Sequence, residues 1–208
     1  MLRVLGIPAS SNVQKVTWLL TELDVPFVRE DFGGKAGQSI KSAPYTDLNP
    51  NGTIPTLVDG DLVLWESNSI CRYLARKANT VALYPEGLQE RALCERWMDW
   101  QLGTLRPWFH PLFRILIRRS GIEQETEAIV RMRDTAARAF AIMEHALSTT
   151  DYLGGSGFAL AEIATAVWAH RWFVLKLDRG ETPRLERWYR RLCERPAFVA
   201  HVVDAPFE

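Results

Sequence analysis

The sequence predicts two architectures in one chain, an α/β domain with a four-stranded mixed sheet followed by an all-helical bundle domain. Two observations support this prediction: strand and helix patterns alternate over the first 78 residues, and only helical periodicity remains from about Leu88. Hydrophobic residues make up 47% of the 208 residues and charged residues 24%, which is typical of chains that bury a core. We expect the domains at 1–78 and 88–208, with a linker at 79–87.

The first three predicted elements are a strand, a helix and a second strand. Leu2–Leu5 is a short apolar run, Val13–Leu23 carries apolar residues at helical spacing, and Phe27–Glu30 alternates as a strand does. Such a βαβ unit places its two strands parallel, with a right-handed crossover between them.

A hairpin and a helix follow. Asp59-Gly60-Asp61 separates the apolar runs Thr56–Val58 and Leu62–Trp65. An Asp-Gly pair in this position is typical of a β-hairpin, because glycine readily adopts the positive φ of the turn. Ser67 then begins a helix that extends to about Lys77.

The second half of the chain shows helical periodicity in four segments. These are Arg91–Arg119, Thr126–Leu147, Leu160–Leu175 and Pro183–Cys193. Glycines separate them, at Gly121, within Leu153–Gly157 and at Gly180. Pro107 and Pro111 lie inside the first segment, so we expect that helix to kink near them.

Composition excludes several classes of function. Lys+Arg and Asp+Glu are 25 each, so the net charge is zero and no basic surface for nucleic acid is predicted. No segment approaches the roughly 18 apolar residues of a membrane span, and Met1–Gly6 does not begin a secretory signal. The three cysteines form no Cys-x-x-Cys pair, which favours reduced thiols over disulfides or zinc. We expect a cytoplasmic protein without a metal.

Three short motifs are candidates for a binding site, and the first is Pro8–Asn12, between the first strand and the first helix. Ser10 or Ser11 could simply cap the helix. Alternatively, a hydroxyl at this turn faces outward at the positive end of the helix, where it would stabilise a developing anion.

The second motif is Asn49–Pro55, which leads directly into a strand. Pro55 could merely mark the start of that strand. Alternatively, the Ile54–Pro55 bond is cis, a state of only about 5% of X–Pro bonds in folded proteins. A cis bond would leave the N–H and C=O of Ile54 free for an extended peptide ligand.

The third motif is Glu66–Ser69, between the last predicted strand and its helix. Ser67 could be a plain N-cap. A hydroxyl beside free N–H groups at a helix start is also suited to a carboxylate. Because Glu66 could accept from an ammonium group, the two residues together would hold the zwitterionic end of an amino acid.

These motifs and the helical second half resemble the cytosolic glutathione S-transferase family, in particular its bacterial serine-type members, which are theta-, beta- or nu-like. The resemblance covers nearly the whole chain and implies a thioredoxin-like first domain. Its most specific carriers are Ser10-x-Asn12-x-x-Lys15-Val16, Leu48–Leu57, Leu64–Ile70, and Trp100-Gln101 with Leu105–Pro107 and Pro111–Phe113.

The resemblance implies roles for the first two motifs. Ser10 would contact the sulfur of glutathione, and Asn12 would support or share that role. Thr53 and Ile54 would pair with the cysteinyl backbone, with Pro55 in the cis form. Tyrosine-type and cysteine-type members are excluded, because the first tyrosine is at position 45 and no cysteine lies near the first helix.

The resemblance also implies roles for Glu66 and Ser67, which would hold the γ-glutamyl end of glutathione. Related members often have His where Ile40 stands, so Lys41 would take over the glycyl carboxylate. A second departure is in the helical domain, where relatives have a hydroxyl residue and then Asp as a capping box. Here these positions are Ala159 and Glu162.

The implied activity is that of a glutathione transferase, which activates the thiol of its co-substrate glutathione as the thiolate and conjugates it to a hydrophobic electrophile, as in detoxification. Trp108, Phe109 and Leu112 are candidates for the electrophile pocket, and ordinary bundle packing is their alternative role. The resemblance further implies a homodimer formed by the helices from Ser67 and Arg91.

Two alternative functions stay open. A glutathione-dependent disulfide-bond reductase or peroxidase is one, because some bacterial relatives with Thr or Ser and Asn at the first turn are similar to such reductases. A non-catalytic binding module of the same fold is the other, and the presence of Ser10, Glu66 and Ser67 argues against it.

Overall fold

The computed structural model describes residues 1–35, 37–117, 126–177 and 179–207. The predicted helix end at Arg119 and the predicted break at Gly121 lie outside these residues. The chain forms two compact units, Met1–Tyr84 together with Glu194–Glu208, and Pro85–Cys193. The last segment is thus grouped with the first unit, whereas the predicted range 88–208 assigned it to the helical domain.

The first unit contains the predicted four-stranded mixed sheet. Its strands are β1 (Leu2–Leu5), β2 (Phe27–Glu30), β3 (Thr56–Asp59) and β4 (Leu62–Trp65). Their order is β2-β1-β3-β4. β1 and β2 are parallel, as the βαβ unit requires, and the other two pairs are antiparallel. The predicted fold class of this unit is confirmed.

Three helices accompany the sheet, α1 (Ser11–Glu22), α2 (Tyr45–Leu48) and α3 (Ser67–Lys77). α1 packs against α3, and its apolar face is fully buried at Val13, Val16, Leu19 and Leu20. α2 was not predicted, because a single helical turn is too short to show a period of 3.6 residues.

The last segment packs against the second half of α1. It consists of a short helical turn, Pro196–Phe198, and a π-helical turn, Val199–Val203. The rings of Phe198 and Trp18 are 4.7 Å apart. Arg195 donates through Nε and Nη2 to the two carboxylate oxygens of Glu22, at 2.9 and 2.6 Å. These contacts explain why the segment belongs to the first unit.

The second unit is helical. Its elements are α4 (Leu88–Trp100), a π-helical turn (Gln101–Leu105), α5 (Arg106–Ile117), α6 (Glu127–Ala146), α7 (Leu160–Val174) and α8 (Pro183–Cys193). Among the described residues after Leu88, the only β pairing is an isolated bridge between Tyr152 and Gly155. The helical class predicted for this half is therefore confirmed.

The helix predicted from Arg91 is interrupted by the π-helical turn, directly before Pro107. A proline cannot donate to the carbonyl four residues earlier, so the regular hydrogen-bond ladder cannot continue unchanged through it. The interruption therefore lies just before the first of the two prolines for which a kink was predicted, and Pro111 lies inside α5.

The interior of the second unit is aromatic. The Phe109 ring is 5.3 Å from Phe140 and 5.6 Å from Trp172, edge to face in both pairs. Phe140 and Trp172 are stacked at 4.6 Å. These rings come from three helices, α5, α6 and α7, so they hold the bundle together.

The loop before α7 is organised around one buried carboxylate. Glu162 Oε1 accepts from the N–H groups of Leu153 at 2.5 Å and Gly154 at 3.3 Å, and Oε2 accepts from the N–H of Ala159 at 3.0 Å. Burial raises the pKa of Glu162 to about 7, although these N–H groups act in the opposite direction. Of the two side chains of a capping box, the acid is therefore present as Glu162, whereas Ala159 supplies no hydroxyl.

The Ala159→Ser substitution is expected to raise the free energy of unfolding by up to about 1 kcal/mol, because its hydroxyl can share the N–H of Glu162, which donates to the Ala159 carbonyl at 3.0 Å. Denaturant unfolding measures the change. The control is Ala161→Ser, which buries a hydroxyl inside the same helix turn without a capping role. A stability of Ala159→Ser at or below that of the control would contradict the prediction.

Candidate active site

The ends of three elements of the first unit meet at one edge of the sheet. Leu5, the last residue of β1, is paired with Thr56 at the start of β3, and Thr56 is paired with Trp65 at the end of β4. A Cβ on Gly6, whose φ is +154°, would lie 3.2 Å from the Cβ of Ile54. The segments that follow β1, precede β3 and follow β4 are therefore adjacent, and they hold the predicted glutathione-binding residues.

Ser10 occupies the N-cap position of α1, with φ −74° and ψ 122°. Its side chain makes no capping hydrogen bond, and its hydroxyl has no partner among the described residues. The turn is held instead by Gln14, whose Nε2 donates to the carbonyl of Pro8 at 2.9 Å. The hydroxyl is therefore available to a ligand at the positive end of α1.

Asn12 lies in the first turn of α1 and is half-buried. Its Oδ1 atom is buried and has no hydrogen-bond partner in the described part of the chain. An acceptor left in this state costs about 1–3 kcal/mol. The oxygen therefore suits a ligand that brings an N–H or S–H group.

A buried polar network holds the loop that precedes β3. The hydroxyl of Tyr45 donates to the carbonyl of Thr53 at 2.5 Å and lies 2.9 Å from Thr56 Oγ1. Asn49 Nδ2 donates to the same two oxygens, at 2.8 and 3.1 Å. Burial raises the pKa of Tyr45, so its hydroxyl stays protonated. This network positions Thr53 and the residue after it.

Ile54 presents its backbone at this edge of the sheet. Neither its N–H nor its C=O has a hydrogen-bond partner among the described residues. The Ile54–Pro55 bond is cis. An extended peptide could pair with both free groups, in the manner of an added strand.

The N-terminus of α3 is the third part of the site. Glu66 is exposed, and its carboxylate has no partner among the described residues. Its φ of 70° lies in the left-handed region, which costs a residue with a Cβ roughly 1–3 kcal/mol. Ser67 follows it and is 3% exposed. The strained backbone places an acid and a hydroxyl side by side at a helix start.

Lys15 links α1 to this helix start, and the residues predicted for the site did not include it. The lysine is fully buried. Its Nζ lies 3.5 Å from Ser67 Oγ and 3.3 Å from Asn68 Oδ1. The available signal was a lysine in the second turn of a helix, directly before the apolar Val16, near the positive end of the helix dipole.

Lys41 and Ile40 have different environments. Lys41 is exposed, and its Nζ donates to the carbonyl of Gly52 at 2.9 Å, beside the loop that holds Thr53. Ile40 packs against a hydrophobic cluster that includes Leu5. Ile40 is therefore a partly buried residue that packs against the core, whereas Lys41 keeps a cation near the site.

The electrophile-pocket candidates are on α5, in the second unit. Phe109 and Leu112 are fully buried, and Phe109 packs in the aromatic interior described above. Trp108 is 46% exposed. Of the three candidates, Trp108 alone offers substantial surface to a ligand.

The described residues contain no helix long and apolar enough to cross a membrane. They also contain no group of three or more His, Cys, Asp or Glu side chains that could hold a metal ion.

Comparison with known proteins identifies similar families and relatives. The family models "Glutathione S-transferase, N-terminal domain" and "Glutathione S-transferase, C-terminal domain" match residues 9–77 and 105–196. The sequence is 35% identical to glutathione S-transferase GstB of Escherichia coli K12 over 208 residues, 99% of each chain. It is 29% identical to the disulfide-bond oxidoreductase YfcG of the same organism over 195 residues, 89% of this chain and 87% of the relative.

A solved structure is similar over almost the whole chain. It is the theta class glutathione S-transferase of Xanthomonas axonopodis pv. citri with glutathione bound. The sequence identity is 39% and the TM-score 0.92, and the match covers 98% of each chain. The likeness therefore includes both units.

Proposed function

Because this chain belongs to the glutathione S-transferase family, we propose that it binds glutathione at the sheet edge of its first unit, activates the thiol as the thiolate and joins it to a hydrophobic electrophile. The observation that carries the proposal is that, among the described residues, neither the hydroxyl of Ser10 at the N-terminus of α1 nor the backbone groups of Ile54 at the same sheet edge have a hydrogen-bond partner. The family relatives named glutathione S-transferase support the same activity.

The free energies that thiol activation requires are small enough for this site. A thiol has a pKa near 8.5, and lowering it by two units requires about 2.7 kcal/mol of selective stabilisation of the anion. A charge-assisted hydrogen bond from Ser10 supplies about 1.5–3 kcal/mol, and the helix N-terminus about 0.3–1 kcal/mol. The neutral hydroxyl of serine is too weak a base to accept the proton, which passes to water. The sulfur then forms a bond to carbon, and the leaving group departs with its electron pair.

The remaining contacts would hold the tripeptide on either side of its sulfur. Thr53 and Ile54 would pair with the cysteinyl backbone, with Pro55 cis. Glu66 would accept from the γ-glutamyl ammonium group, and Ser67 would donate to its carboxylate. The adjacent Lys15 would strengthen that last contact, because its ammonium adds positive charge beside Ser67.

The outer parts of the ligands would contact Lys41 and the second unit. Lys41 would pair with the glycyl carboxylate. Trp108 would provide the exposed apolar surface of the electrophile pocket, and Leu112 and Phe109 would support its helix from inside. Residues 1–78 would thus bind glutathione, and the helical second unit, Pro85–Cys193, would bind the electrophile.

Calorimetry tests the glutathione site. Glu66→Ala and Ser67→Ala are each expected to weaken glutathione binding by about ten- to a hundredfold, because each removes a hydrogen bond to a charged group. Ser69→Ala, an exposed hydroxyl on the same helix turn, serves as the control. Unchanged affinity in both test variants would put the site elsewhere.

Comparing Glu66→Gly with Glu66→Ala distinguishes the effect of the carboxylate on glutathione affinity from the effect of backbone strain on stability. Glycine and alanine both remove the carboxylate, so we expect the same loss of glutathione affinity from each. Glycine adopts a positive φ without strain, so Glu66→Gly is expected to be about 1 kcal/mol more stable than Glu66→Ala. Equal stability would contradict the strain assigned to Glu66.

A glutathione-dependent disulfide-bond reductase is the second candidate function. The 29% identity to the oxidoreductase YfcG and the polar Asn12 beside Ser10 favour it. In such a reaction the thiolate would attack a disulfide sulfur, and the displaced sulfur would leave as a thiolate. Activity against a panel of aryl halides, peroxides and mixed disulfides distinguishes the two reactions.

We further propose a homodimer, in which α3 of one subunit and α4 of the other take part. Leu88 and Leu93 of α4 are 83% and 45% exposed, so this helix offers apolar surface to a partner. Light scattering at micromolar concentration is expected to give about twice the chain mass of 23.7 kDa. A mass near that of one chain would contradict the proposal.

The cysteines are consistent with a cytoplasmic location, which we also propose. Cys71, Cys94 and Cys193 are free thiols. Burial raises the pKa of both Cys71 and Cys94 to about 12, so neither is a reactive thiolate at neutral pH.

A further inference from the structure

The single helical turn α2 places two polar side chains against the loop that precedes β3. Tyr45 begins the turn and Asn49 follows its last residue, so the two residues are four positions apart and their side chains are neighbours. The N–H of Asn49 donates to the carbonyl of Tyr45 at 2.9 Å, which closes the turn. Both side chains are fully buried. The turn therefore presents two buried hydrogen-bonding groups side by side to residues 53–56.

The protons of this network have one consistent arrangement. The Tyr45 hydroxyl has a single proton, and it donates that proton to the carbonyl of Thr53 at 2.5 Å. The oxygen of the same hydroxyl lies 2.9 Å from Thr56 Oγ1, so it accepts the proton of Thr56. Tyr45 thus transmits a chain of hydrogen bonds from Thr56 to the Thr53 carbonyl, and such chains strengthen each of their members.

Asn49 supplies a second donor to the same carbonyl. Its Nδ2 donates to the carbonyl oxygen of Thr53 at 2.8 Å and to Thr56 Oγ1 at 3.1 Å. The amide of Asn49 is held in this orientation, because its Oδ1 accepts from the backbone N–H of Asn51 at 3.1 Å. The Thr53 carbonyl oxygen therefore accepts two hydrogen bonds from fully buried side chains.

The direction of the Thr53 carbonyl determines the direction of the next N–H. Thr53 and Ile54 share a trans peptide group, which is planar, so its C=O and N–H point in opposite directions. Because the oxygen is held by two buried donors, the N–H of Ile54 points away from the network. This N–H has no hydrogen-bond partner among the described residues. It is therefore oriented in advance and available to a ligand.

We propose that Tyr45 is a positioning residue for glutathione, whose hydroxyl orients the N–H of Ile54 toward the backbone of the cysteinyl residue. This inference rests on the proposed function, in which Ile54 pairs with that backbone. Tyr45 is fully buried and acts through the peptide group, not on the ligand itself. A donor that is already held in its bound orientation loses less freedom on binding, so the hydroxyl raises the affinity for glutathione.

The network acts on binding and not on the reacting sulfur. In the described part of the chain, none of the side-chain hydrogen bonds of Tyr45 or Thr56 reaches Ser10. With phenylalanine at position 45, the Thr53 carbonyl loses one of its two donors and the Thr56 hydroxyl loses its acceptor. The peptide group is then less restricted, whereas the hydroxyl at the N-terminus of α1 is unchanged.

Calorimetry with Tyr45→Phe tests the inference. The ring is retained, together with its contact to Phe32 at 5.1 Å between ring centres, and only the hydroxyl is lost. The affinity for glutathione is expected to fall about three- to tenfold. Tyr73→Phe is the matched control, because it also removes a tyrosine hydroxyl of the first unit, one that donates to Asp59 at 2.6 Å. The affinity of this control is expected to be unchanged.

Two further readouts distinguish positioning from a general loss of structure. Turnover at saturating glutathione and the pKa of the bound thiol are expected to be unchanged in Tyr45→Phe, the opposite of what loss of the Ser10 hydroxyl would produce. The amide proton resonance of Ile54, observed in protein with isotope-labelled isoleucine, is expected to move downfield when glutathione saturates the unchanged protein. In Tyr45→Phe this shift is expected to be smaller.

Thr56→Val provides a second variant, which decides the question if Tyr45→Phe does not fold. It removes the hydroxyl that donates to Tyr45 and keeps the shape of the side chain, so the same pattern is expected with a loss of affinity of about two- to fivefold. Unchanged affinity in both variants, a changed thiol pKa, or an equal loss in Tyr73→Phe would overturn the inference alone. Failure of the unchanged protein to bind glutathione would overturn the proposed function and the inference with it.

Discussion

Replacing Glu162 with alanine is expected to lower the free energy of unfolding by about 3–5 kcal/mol at pH 6. The carboxyl group accepts from three backbone N–H groups, those of Leu153, Gly154 and Ala159. Removing it leaves these donors buried without a partner, and each costs about 1–3 kcal/mol in that state. The predicted loss is a large part of the stability of an ordinary domain.

Denaturant unfolding of Glu162→Ala measures this loss. Asp134→Ala is the matched control, because Asp134 is an acid of the same unit that lies on the surface of α6 with its side chain 50% exposed. Its effect is expected to stay within about 0.5 kcal/mol. Similar losses in both variants would mean that the loop before α7 does not depend on the buried carboxyl group.

The same residue makes stability depend on pH. Its pKa is raised from 4.5 to about 7 in the folded chain. Between these values the folded chain holds a proton that the unfolded chain has released, so stability falls as pH rises through this window and levels off above it. The decrease in the free energy of unfolding that is attributable to Glu162 reaches up to about 3 kcal/mol. The Glu162→Gln variant is expected not to show this decrease.

Replacing Ser10 with alanine is expected to slow turnover near neutral pH by about ten- to a hundredfold, with a much smaller effect on glutathione binding. The hydroxyl stabilises the thiolate more than the thiol, so its loss raises the pKa of the bound thiol. The fold-change corresponds to about 1.5–3 kcal/mol in the transition state. The Ser10 hydroxyl has no hydrogen-bond partner among the described residues, so the substitution breaks no hydrogen bond there.

Thiolate absorbance as a function of pH measures the shift. Ser11→Ala is the control, because it removes the neighbouring hydroxyl of the same turn. Asn12→Ala tests the rival donor, whose side-chain amide could reach the same sulfur. A shift in the Asn12 variant without one in the Ser10 variant would show that our assignment of Ser10 is wrong.

Much of the first unit could be predicted because its signals are local. β1 and β4 have their predicted bounds, since short apolar runs flanked by polar turns leave little freedom in register. The π-helical turn at Gln101–Leu105 could not be predicted in that form. A proline indicates where a helix must change its hydrogen bonding. Whether the helix bends there or forms a π-helical turn depends on its packing against neighbouring helices.

Only some residues of the candidate site could be predicted from the sequence. Ser10 and Ser67 stand next to element boundaries, where a hydroxyl has a recognisable function in the sequence. Lys15 acts through a contact with Ser67, 52 residues further along the chain. Tyr45 acts through contacts with Thr53 and Thr56, across a loop without regular structure. Such contacts depend on tertiary packing, which a single sequence does not display.

The packing of the last segment on α1 has a consequence for the order in which this protein is assembled during synthesis. Trp18 leaves the ribosome early, but Phe198, which covers it, follows only after the whole second unit, residues 85–193, has been made. At about 5–20 residues per second, the stretch of chain from Trp18 to Phe198 takes on the order of 10–40 s. During this time Trp18 of α1 lacks its packing partner Phe198. The first unit is therefore the first to be synthesised in part and the last to be complete.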